Sequence, residues 1–503
     1  GEIVAVGTSE EMRNRYADAD EVDLGGKTVM PGIVEGHGHV LNLGQSFLRL
    51  NVEGVPSPAE VAALVEERVD AARPGEWIIG WGWDEGAWAK DYPTRAELDR
   101  VSPENPVYLE GLHGFASWVN GRVLEIAGIT AETPDPPNGE IIKDRRTGEP
   151  TGILTNKAQD LFHPYIPPLT LEQRKRAFTR ALEECVKYGI TTVHDANTTA
   201  GMLEALLSME ENGELLIPVH AWLDGTDDEL VSKYLERGPK YGKSEMLTIR
   251  VVKIFVDGAL GSRGAVMFDD YSDAPGVRGV LVTTEDELYD ITVRSLKAGF
   301  QVASHAIGDR ANRITIDAFK RAVRDVPSAR DHRLRIEHAQ VMRHEDIPEF
   351  TGSGFILSMQ PPHATSDMPW AETRVGPERV KGAYAWRSVL DTGVHFTLNS
   401  DFPGETLDPF RGMYAAETRK SPAGDPPGGW YAEQTLTRDE VLKAYTIEAA
   451  YSGYEENYKG KIAPGYLADF IVLSGDILTA SPEELLSIEV EKTYVWGRPV
   501  YSK

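Results

Sequence analysis

The sequence contains one cysteine in 503 residues, which excludes an internal disulfide framework and any zinc cluster built from the thiolates of this chain alone. That cysteine, Cys185, lies in the stretch TLEQRKRAFTRALEECVKYG, where apolar residues recur at the spacing of an amphipathic helix. We therefore expect Cys185 to be a packed thiol of the core.

Basic residues are also scarce. The chain has 52 lysines and arginines against 79 aspartates and glutamates, a formal net charge of −27. This balance argues against nucleic acid or an anionic membrane as a partner. A small-molecule substrate is expected instead, and an anionic one would need local help such as a metal ion.

Long apolar runs are missing as well. No run reaches the length of a membrane span, and no signal peptide is visible. The chain opens on GEIVAVG without a methionine, so the sequence leaves open whether a segment precedes it. A cytoplasmic location is the default expectation, and a homodimer is left open.

What the sequence does contain is a repeated alternation of strand and helix patterns. Apolar runs rich in β-branched residues are each followed by a segment with apolar residues at helical spacing. Eight such alternations predict a (β/α)₈ barrel within a chain too long for one simple core. The eight runs are GIVEGHGHV, GITTVHDA, IPVHAWLD, IRVVKIFVDG, FQVASHAIGD, RLRIEHAQ, GFILSMQPPHA and VHFTLNSDFP.

Two parts of the chain do not follow this alternation. Residues 51–165 are far too long for one loop and carry helix and strand patterns of their own, so we expect an inserted α+β subdomain over the barrel mouth. Residues 1–30 and 459–503 read as short strands with glycine turns, which predicts a small β-sandwich made from both termini. Residues 31–50 and 166–458 would then form the barrel.

Histidines and one aspartate collect where the barrel strands end. His37 and His39 stand two residues apart, so in a strand they point to the same side. In a barrel, residues at the strand ends face one common mouth. Taken alone, a histidine such as His305 in an apolar run is more often a hydrogen-bonded core residue, and Asp401 could be a helix N-cap. Their joint placement indicates a site for Zn²⁺ or a similar ion, with candidates His37, His39, Lys253, His305, His338 and Asp401.

The order of these motifs resembles the amidohydrolase superfamily, and within it the branch called amidohydrolase family 3, which includes the N-substituted formamide deformylases. The resemblance covers nearly the whole chain. It rests on PGIVEGHGHV, KIFVDGALGSRGA, SHAIGDRA, RIEHAQ, SMQPPHA, NSDFPGETLDPFRGMYAAETR, YTIEAAY and KGKIAPGYLADFIVL.

This resemblance implies roles for the candidate residues. His37 and His39 would hold one metal, His305 and His338 a second, and Asp401 would stand beside the attacking water. Two positions depart from the usual pattern, because Glu35 replaces an aspartate and Asn399 replaces a glycine. Neither is expected to bind metal.

Candidate substrate contacts are Trp83, His113, Trp118 and His363. Trp83 belongs to WGWDEGAWAKDYP, whose aromatic residues would either pack the subdomain core or form an apolar wall for the substrate. His113 stands near Phe115, which replaces a histidine usual in related sequences. His363 ends the seventh strand in QPPHA, where it would contact the substrate or support the metal site.

Lys253 is an unusual residue for a metal site. An ammonium group would repel divalent cations, so either the amine is neutral or it has reacted with CO₂ to give a carbamate that bridges two ions. The alternative is a lysine that pairs with Asp257. The resemblance to binuclear family members favours the carbamate.

The function expected from these residues is metal-dependent hydrolysis of a C–N bond in an amide or N-formyl compound, with Asp401 as general base and acid. Cleavage of an ester or lactone, or deamination of a ring, would use the same site. A non-catalytic binding or regulatory protein is the third alternative.

Overall fold

The computed structural model describes residues 1–84, 88, 92–112 and 114–503, which fall into two compact units, Gly1–Leu43 with Arg174–Lys503 and Gly44–Gln173. The strands are β1 (Thr28–Pro31), β2 (Ile33–Gly38), β3 (Leu50–Asn51), β4 (Ile78–Trp83), β5 (Val107–Gly111), β6 (Ala116–Val119), β7 (Gly139–Lys143), β8 (Pro150–Asn156), β9 (Ile190–Thr198), β10 (Val219–Asp224), β11 (Leu247–Phe255), β12 (Gln301–Ala306), β13 (Arg335–His338), β14 (Ile356–Met359), β15 (His395–Leu398), β16 (Phe470–Leu473), β17 (Val490–Val495) and β18 (Arg498–Ser502).

The α-helices are α1 (Ser9–Arg15), α2 (Val40–Leu48), α3 (Pro58–Ala71), α4 (Arg95–Val101), α5 (Gly121–Ala127), α6 (Leu171–Lys187), α7 (Ala200–Glu211), α8 (Asp228–Arg237), α9 (Glu285–Lys297), α10 (Asp309–Asp325), α11 (Pro361–Asp367), α12 (Ala371–Val375), α13 (Trp386–Leu390), α14 (Pro409–Thr418), α15 (Arg438–Tyr445), α16 (Ile447–Ser452) and α17 (Pro482–Leu485).

The larger unit is built on a parallel barrel, which confirms the predicted fold class. Its eight strands follow the order β2-β9-β10-β11-β12-β13-β14-β15. The first and last strands meet just beyond their ends, where the Asp401 N–H donates to the His37 carbonyl at 2.9 Å and the His39 N–H donates to the Phe402 carbonyl at 2.8 Å. Closure of the barrel therefore brings the first and the last candidate ligands together.

The interior of the barrel is apolar in part only. Ala196, Trp222, Val251 and Ala303, from four successive strands, form one apolar cluster. Such buried parallel strands read as continuous apolar runs in sequence, which is why the eight runs were recognisable. The helices between them start at clear signals: α9, for example, begins after a capping box formed by Thr284 and Glu287.

The two chain termini meet in one sheet of the larger unit. Strand β1 pairs antiparallel with β16, which continues into β17 and β18, so the described residues here form a four-stranded antiparallel sheet. The Thr493 hydroxyl in β17 donates to the Val186 carbonyl at 2.6 Å and so attaches this sheet to the end of α6. The predicted association of the N-terminal and C-terminal strands is present.

The smaller unit has a mixed six-stranded sheet in the order β3-β4-β5-β6-β8-β7. Its first three strands run parallel and the remaining pairings are antiparallel. Two apolar clusters stabilise it, one of which contains Trp83, Trp88 and Trp118. Across both units, none of the helices formed by described residues combines the length and apolarity needed to cross a bilayer.

Asp257, just after β11, joins two loops at the end of the barrel where the strands finish. Its carboxylate accepts the N–H groups of Val266 at 2.8 Å, Ile307 at 3.0 Å and Gly308 at 2.8 Å. The chain passes so closely here that a Cβ on Gly308 would lie 2.0 Å from the Val266 carbonyl oxygen. One buried carboxylate therefore holds the loop after β11 against the end of β12.

We expect Asp257→Ala to lower the free energy of unfolding by about 3 kcal/mol, because it leaves buried N–H groups without acceptors at a cost of roughly 1–3 kcal/mol each. Asp257→Asn keeps one acceptor oxygen and should lose less. Urea unfolding of both variants measures the difference. An alanine variant within about 0.5 kcal/mol of the wild type would show that the carboxylate is not needed.

Candidate functional site

The barrel mouth contains a cavity of about 390 Å³ at the ends of its strands. All six residues predicted as metal ligands line it, together with His363. A cavity of this size fits a small molecule. The structure thus brings every predicted ligand to one cavity.

His37, His39 and Asp401 form a first group of facing polar atoms, which we call group A. The Nε2 atoms of His37 and His39 lie 3.5 Å and 3.3 Å from Asp401 Oδ1. His37 is fully buried, whereas His39 is partly exposed to the cavity. The two-residue spacing thus places both imidazoles on the same side, as expected for strand geometry.

His338, His363 and Asp401 form a second group, which we call group B, whose potential ligand atoms lie within 4.8 Å of one another. The other carboxylate oxygen of Asp401, Oδ2, lies 3.7 Å from His363 Nε2. The Nδ1–H of His338 donates to Gln360 Oε1 at 2.8 Å, which leaves His338 Nε2 unprotonated. Asp401 therefore faces one group with each of its oxygens.

His305 lies beside these groups without joining either of them. Its ring is 4.6 Å from the ring of His338, but its Nε2 faces Asp257 Oδ1 at 3.5 Å. That nitrogen has no hydrogen-bond partner among the described residues. His305 thus reaches the cavity with a buried polar atom that is still unsatisfied.

Lys253 is completely buried beneath the cavity. Its Nζ lies 3.4 Å from His37 Nε2 and 4.9 Å from the centre of the Phe255 ring. Burial lowers the pKa of Lys253 to about 8. Asp257 accepts backbone N–H groups, and no ion pair with Lys253 is found among the described residues.

The electrostatics of the site suit cation binding. Burial lowers the pKa of His37 to about 4, and it holds the pKa of His305 and His338 well below the usual range, so these imidazoles are neutral at pH 7. Burial also acts on Asp401, but His37 and the neighbouring imidazoles outweigh it and hold the pKa of Asp401 well below its usual value. Neutral imidazoles around an ionised carboxylate are the donor set that zinc-like ions prefer.

Two of these residues adopt backbone conformations that are uncommon outside glycine. His338 has φ 73° and Asp401 has φ 60°. His338 is the last residue of β13, Asp401 follows the end of β15 by three residues, and both line the cavity. Such conformations cost energy and collect at functional sites, where the surrounding structure maintains them.

A third group of potential ligands, formed by His194, His220 and Glu455, does not fit a metal. Lys459 Nζ already donates to Glu455 Oε1 at 2.8 Å. Arg335 faces His194 Nδ1 at 3.3 Å, and because an arginine can only donate, that nitrogen accepts and the proton stays on Nε2. The cluster is therefore a polar part of the barrel core.

The predicted substrate contacts have different surroundings. Trp83 and Trp118 are fully buried in the smaller unit, where their indole N–H groups donate to the Leu109 and Thr94 carbonyls. These contacts agree with the packing alternative, and substrate contact by either tryptophan remains a prediction. His113 lies outside the described residues. His363 lines the cavity, where a bound substrate could reach it, so substrate contact by His363 also remains a prediction.

Arg335 and Glu337 are not among the residues predicted from the sequence, although both lie next to the site. Glu337 Oε2 lies 2.6 Å from His37 Nδ1, and Arg335 Nε donates to Glu337 Oε1 at 2.7 Å. Burial opposes ionisation of Glu337, but Arg335 and His37 hold its pKa far below the usual range. The available signal was two charged residues at alternate positions of an otherwise apolar strand, where both must face inward.

Comparison with known proteins places this geometry in a family. The model of the amidohydrolase family matches residues 20–501, so the chain belongs to the amidohydrolase family. An N-substituted formamide deformylase of Arthrobacter pascens is 31% identical over 519 residues, which cover 99% of this chain and 93% of the relative. The Arabidopsis thaliana protein LONG AFTER FAR-RED 3 is 31% identical over 519 residues, which cover 100% of this chain and 87% of the relative.

A solved structure shows the same architecture. An uncharacterized metal-dependent hydrolase from Pyrococcus furiosus superposes with a TM-score of 0.79 at 30% sequence identity, over 95% of this chain and 94% of that one. Together with the family match and the clustered histidines, this similarity identifies the protein as a metal-dependent hydrolase.

Proposed function

We propose that this hydrolase cleaves the C–N bond of a small amide or N-formyl compound and that Asp401 transfers the proton. The observation that carries the proposal is the position of Asp401, whose two carboxylate oxygens face group A and group B separately. The similarity to a protein named N-substituted formamide deformylase supports the C–N bond as the target.

The geometry and the family resemblance support a choice of residues that would hold the metal. We assign His37, His39 and Asp401 to one ion, and His338 with Asp401 to a second, to which His305 or His363 would be added. Zinc suits imidazole and carboxylate ligands, although other divalent ions bind the same donors. The unpartnered, buried atoms Asp401 Oδ1 and His305 Nε2 support this assignment among the described residues.

A divalent ion bound here would polarise the substrate carbonyl and lower the pKa of water. Asp401 is ionised, so it can accept a proton from the water whose oxygen attacks the carbonyl carbon. The same carboxyl group then delivers that proton to the leaving nitrogen as the C–N bond breaks. The products are an amine and a carboxylic acid, and no serine or cysteine nucleophile is required.

The cavity lining suggests which substrates fit. Phe255, Leu260 and Trp370 supply an apolar wall, and Asp367 and Glu405 add carboxylates. Among the described residues that line the cavity, Lys253 is the one lysine or arginine. We therefore expect neutral or cationic groups on the substrate to be preferred over anionic ones.

The function is tested with zinc-loaded protein on a matched panel. We expect N-butylformamide and N-butylacetamide to release butylamine, and N-(3-aminopropyl)formamide to be cleaved with a higher kcat/KM than N-formyl-β-alanine. Butyl formate and an aminated heterocycle complete the panel as the ester and deaminase alternatives. Turnover confined to either alternative would refute the assignment to C–N hydrolysis of amides.

We expect Asp401→Asn to lower kcat by about 10²- to 10⁴-fold, because the amide cannot accept the proton of the water. The asparagine retains a ligand oxygen, so the bound zinc, measured by mass spectrometry of the metal, should largely persist. Glu35→Gln serves as the control, because this buried carboxylate also lies beside the site but does not line the cavity. Full activity of Asp401→Asn would remove Asp401 from proton transfer.

A carbamate on Lys253 is the form that we propose for this residue. The neutral amine attacks CO₂ and releases one proton, which gives an anionic oxygen ligand in place of a cation. Because the pKa of Lys253 is lowered to about 8, the reactive amine becomes abundant as the pH rises through that value.

We expect metal loading of the wild type to rise with bicarbonate, and more so at pH 8.5 than at pH 6.5. Lys253→Met should lack this response, and Lys253→Ala should lose the second metal while acetate or propionate partly restores activity. Metal analysis with and without bicarbonate provides the measurement. An ordered, unmodified amine observed beside two bound metals would contradict the carbamate.

A further inference from the structure

His37 is held from behind by a carboxylate that does not face the cavity. Its Nδ1 lies 2.6 Å from Glu337 Oε2, and both side chains are almost completely buried, with exposed fractions of 1% and 0%. On the opposite edge of the ring, Nε2 faces Asp401 Oδ1 at 3.5 Å and Lys253 Nζ at 3.4 Å. The two ring nitrogens therefore have different surroundings.

Glu337 is in turn held by Arg335, two residues earlier in β13. The Nε of Arg335 donates to Glu337 Oε1 at 2.7 Å, and its Nη2 donates to Glu337 Oε2 at 3.2 Å. Nη2 also donates to the Gly36 carbonyl at 2.9 Å and to Ser358 Oγ at 3.1 Å. A guanidinium has donors only, so it requires an oxygen acceptor at each of these positions.

These contacts determine which nitrogen of His37 carries the proton. A carboxylate that already accepts from Arg335 can only accept again, so His37 must donate to it through Nδ1–H. In a neutral imidazole the other nitrogen is then an acceptor, which agrees with a lysine Nζ at 3.4 Å from Nε2. A metal ligand needs this unprotonated nitrogen.

We propose that Arg335 and Glu337 are positioning residues that lock His37 in the Nδ1–H tautomer and so keep Nε2 free to bind the metal. The metal-binding part of this inference rests on the proposed function, whereas the tautomer does not. Neither residue touches the cavity, and both act through His37.

Glu337→Gln should disrupt metal binding by His37, although glutamine has nearly the same size as glutamate. Arg335 requires the amide oxygen, so the amide NH₂ must point at His37 Nδ1. That nitrogen then has to accept, and the proton moves to Nε2, where it blocks the ligand position. Removing Arg335 as well frees the amide to turn its oxygen towards His37.

The experiment measures zinc affinity by competition with a chelator. Glu337→Gln should bind zinc about 10- to 100-fold more weakly than the wild type. This is the loss typical when a hydrogen-bond partner of a metal-binding histidine is removed. The double variant Arg335→Met with Glu337→Gln should regain about tenfold or more of that loss. A purely structural role predicts the reverse, because removing a second buried partner would add to the damage.

Glu35→Gln is the matched control. Glu35 is equally buried and lies two residues before His37, but its carboxylate contacts no imidazole nitrogen in the hydrogen bonds of the described residues: Oε1 accepts the N–H groups of Ser400 at 3.0 Å and His37 at 3.3 Å, and the Ser400 hydroxyl is a further partner. A glutamine carbonyl can accept both, so this variant should bind zinc within about twofold of the wild type. Thermal unfolding of each metal-free variant checks that the fold is kept.

Neutron diffraction of the metal-free wild-type protein provides a test that does not depend on any variant. We expect deuterium on His37 Nδ1 and none on Nε2. A deuteron on Nε2, or a Glu337→Gln variant with zinc affinity equal to that of the wild type, would overturn the proposal. If the protein showed no amide hydrolysis, the proposed function would fail while the neutron result still decided the tautomer.

Discussion

The burial of the Arg335 guanidinium inside the barrel is the interaction on which the site depends. Besides Glu337, it contacts the backbone of β2, Ser358 in β14 and Ser452 in α16, and it lies 4.4 Å from the Trp222 ring in β10. A charge in this position would be very costly without a complete set of partners. Folding of the barrel therefore has to place β2, β13, β14 and α16 so that each supplies an acceptor for Arg335. The same arrangement orients His37.

The hydrogen bonds that close the barrel also build the site. His37 and Asp401 are joined through their backbone atoms at the junction of the first and last strands, and their side chains face one another across the cavity. The left-handed backbone of Asp401 is tolerated because this junction holds it on both sides. Opening the barrel between its first and last strands would thus separate the residues of group A even if none of them were substituted. The stability of the barrel and the geometry of the site are therefore linked.

The sequence was sufficient for the barrel because buried parallel strands and amphipathic helices have distinct periods. It also predicted that His37, His39 and Asp401 lie together, since the carboxyl ends of all barrel strands face the same mouth. The sequence could not predict how the side chains of the site are oriented relative to one another. That His305 Nε2 faces Asp257 while His363 approaches Asp401 depends on loop conformations that no local pattern encodes. The contact between Glu337 and His37 joins residues 300 positions apart in the sequence. Such a pair can be recognised only when the neighbouring strands of the folded barrel are known.

The pairing of the chain ends has a consequence for the order of assembly. Strand β1 bonds to β16, which is synthesised more than four hundred residues later, and β2 follows β1 directly. The barrel is closed in the same way, so while the chain emerges from the ribosome one edge of β2 stays open until its closing neighbour β15 has been made. Contacts so distant in sequence form late, and partly made chains expose strand edges that favour aggregation. The candidate metal site cannot be completed before β15 and the Asp401 that follows it have been translated.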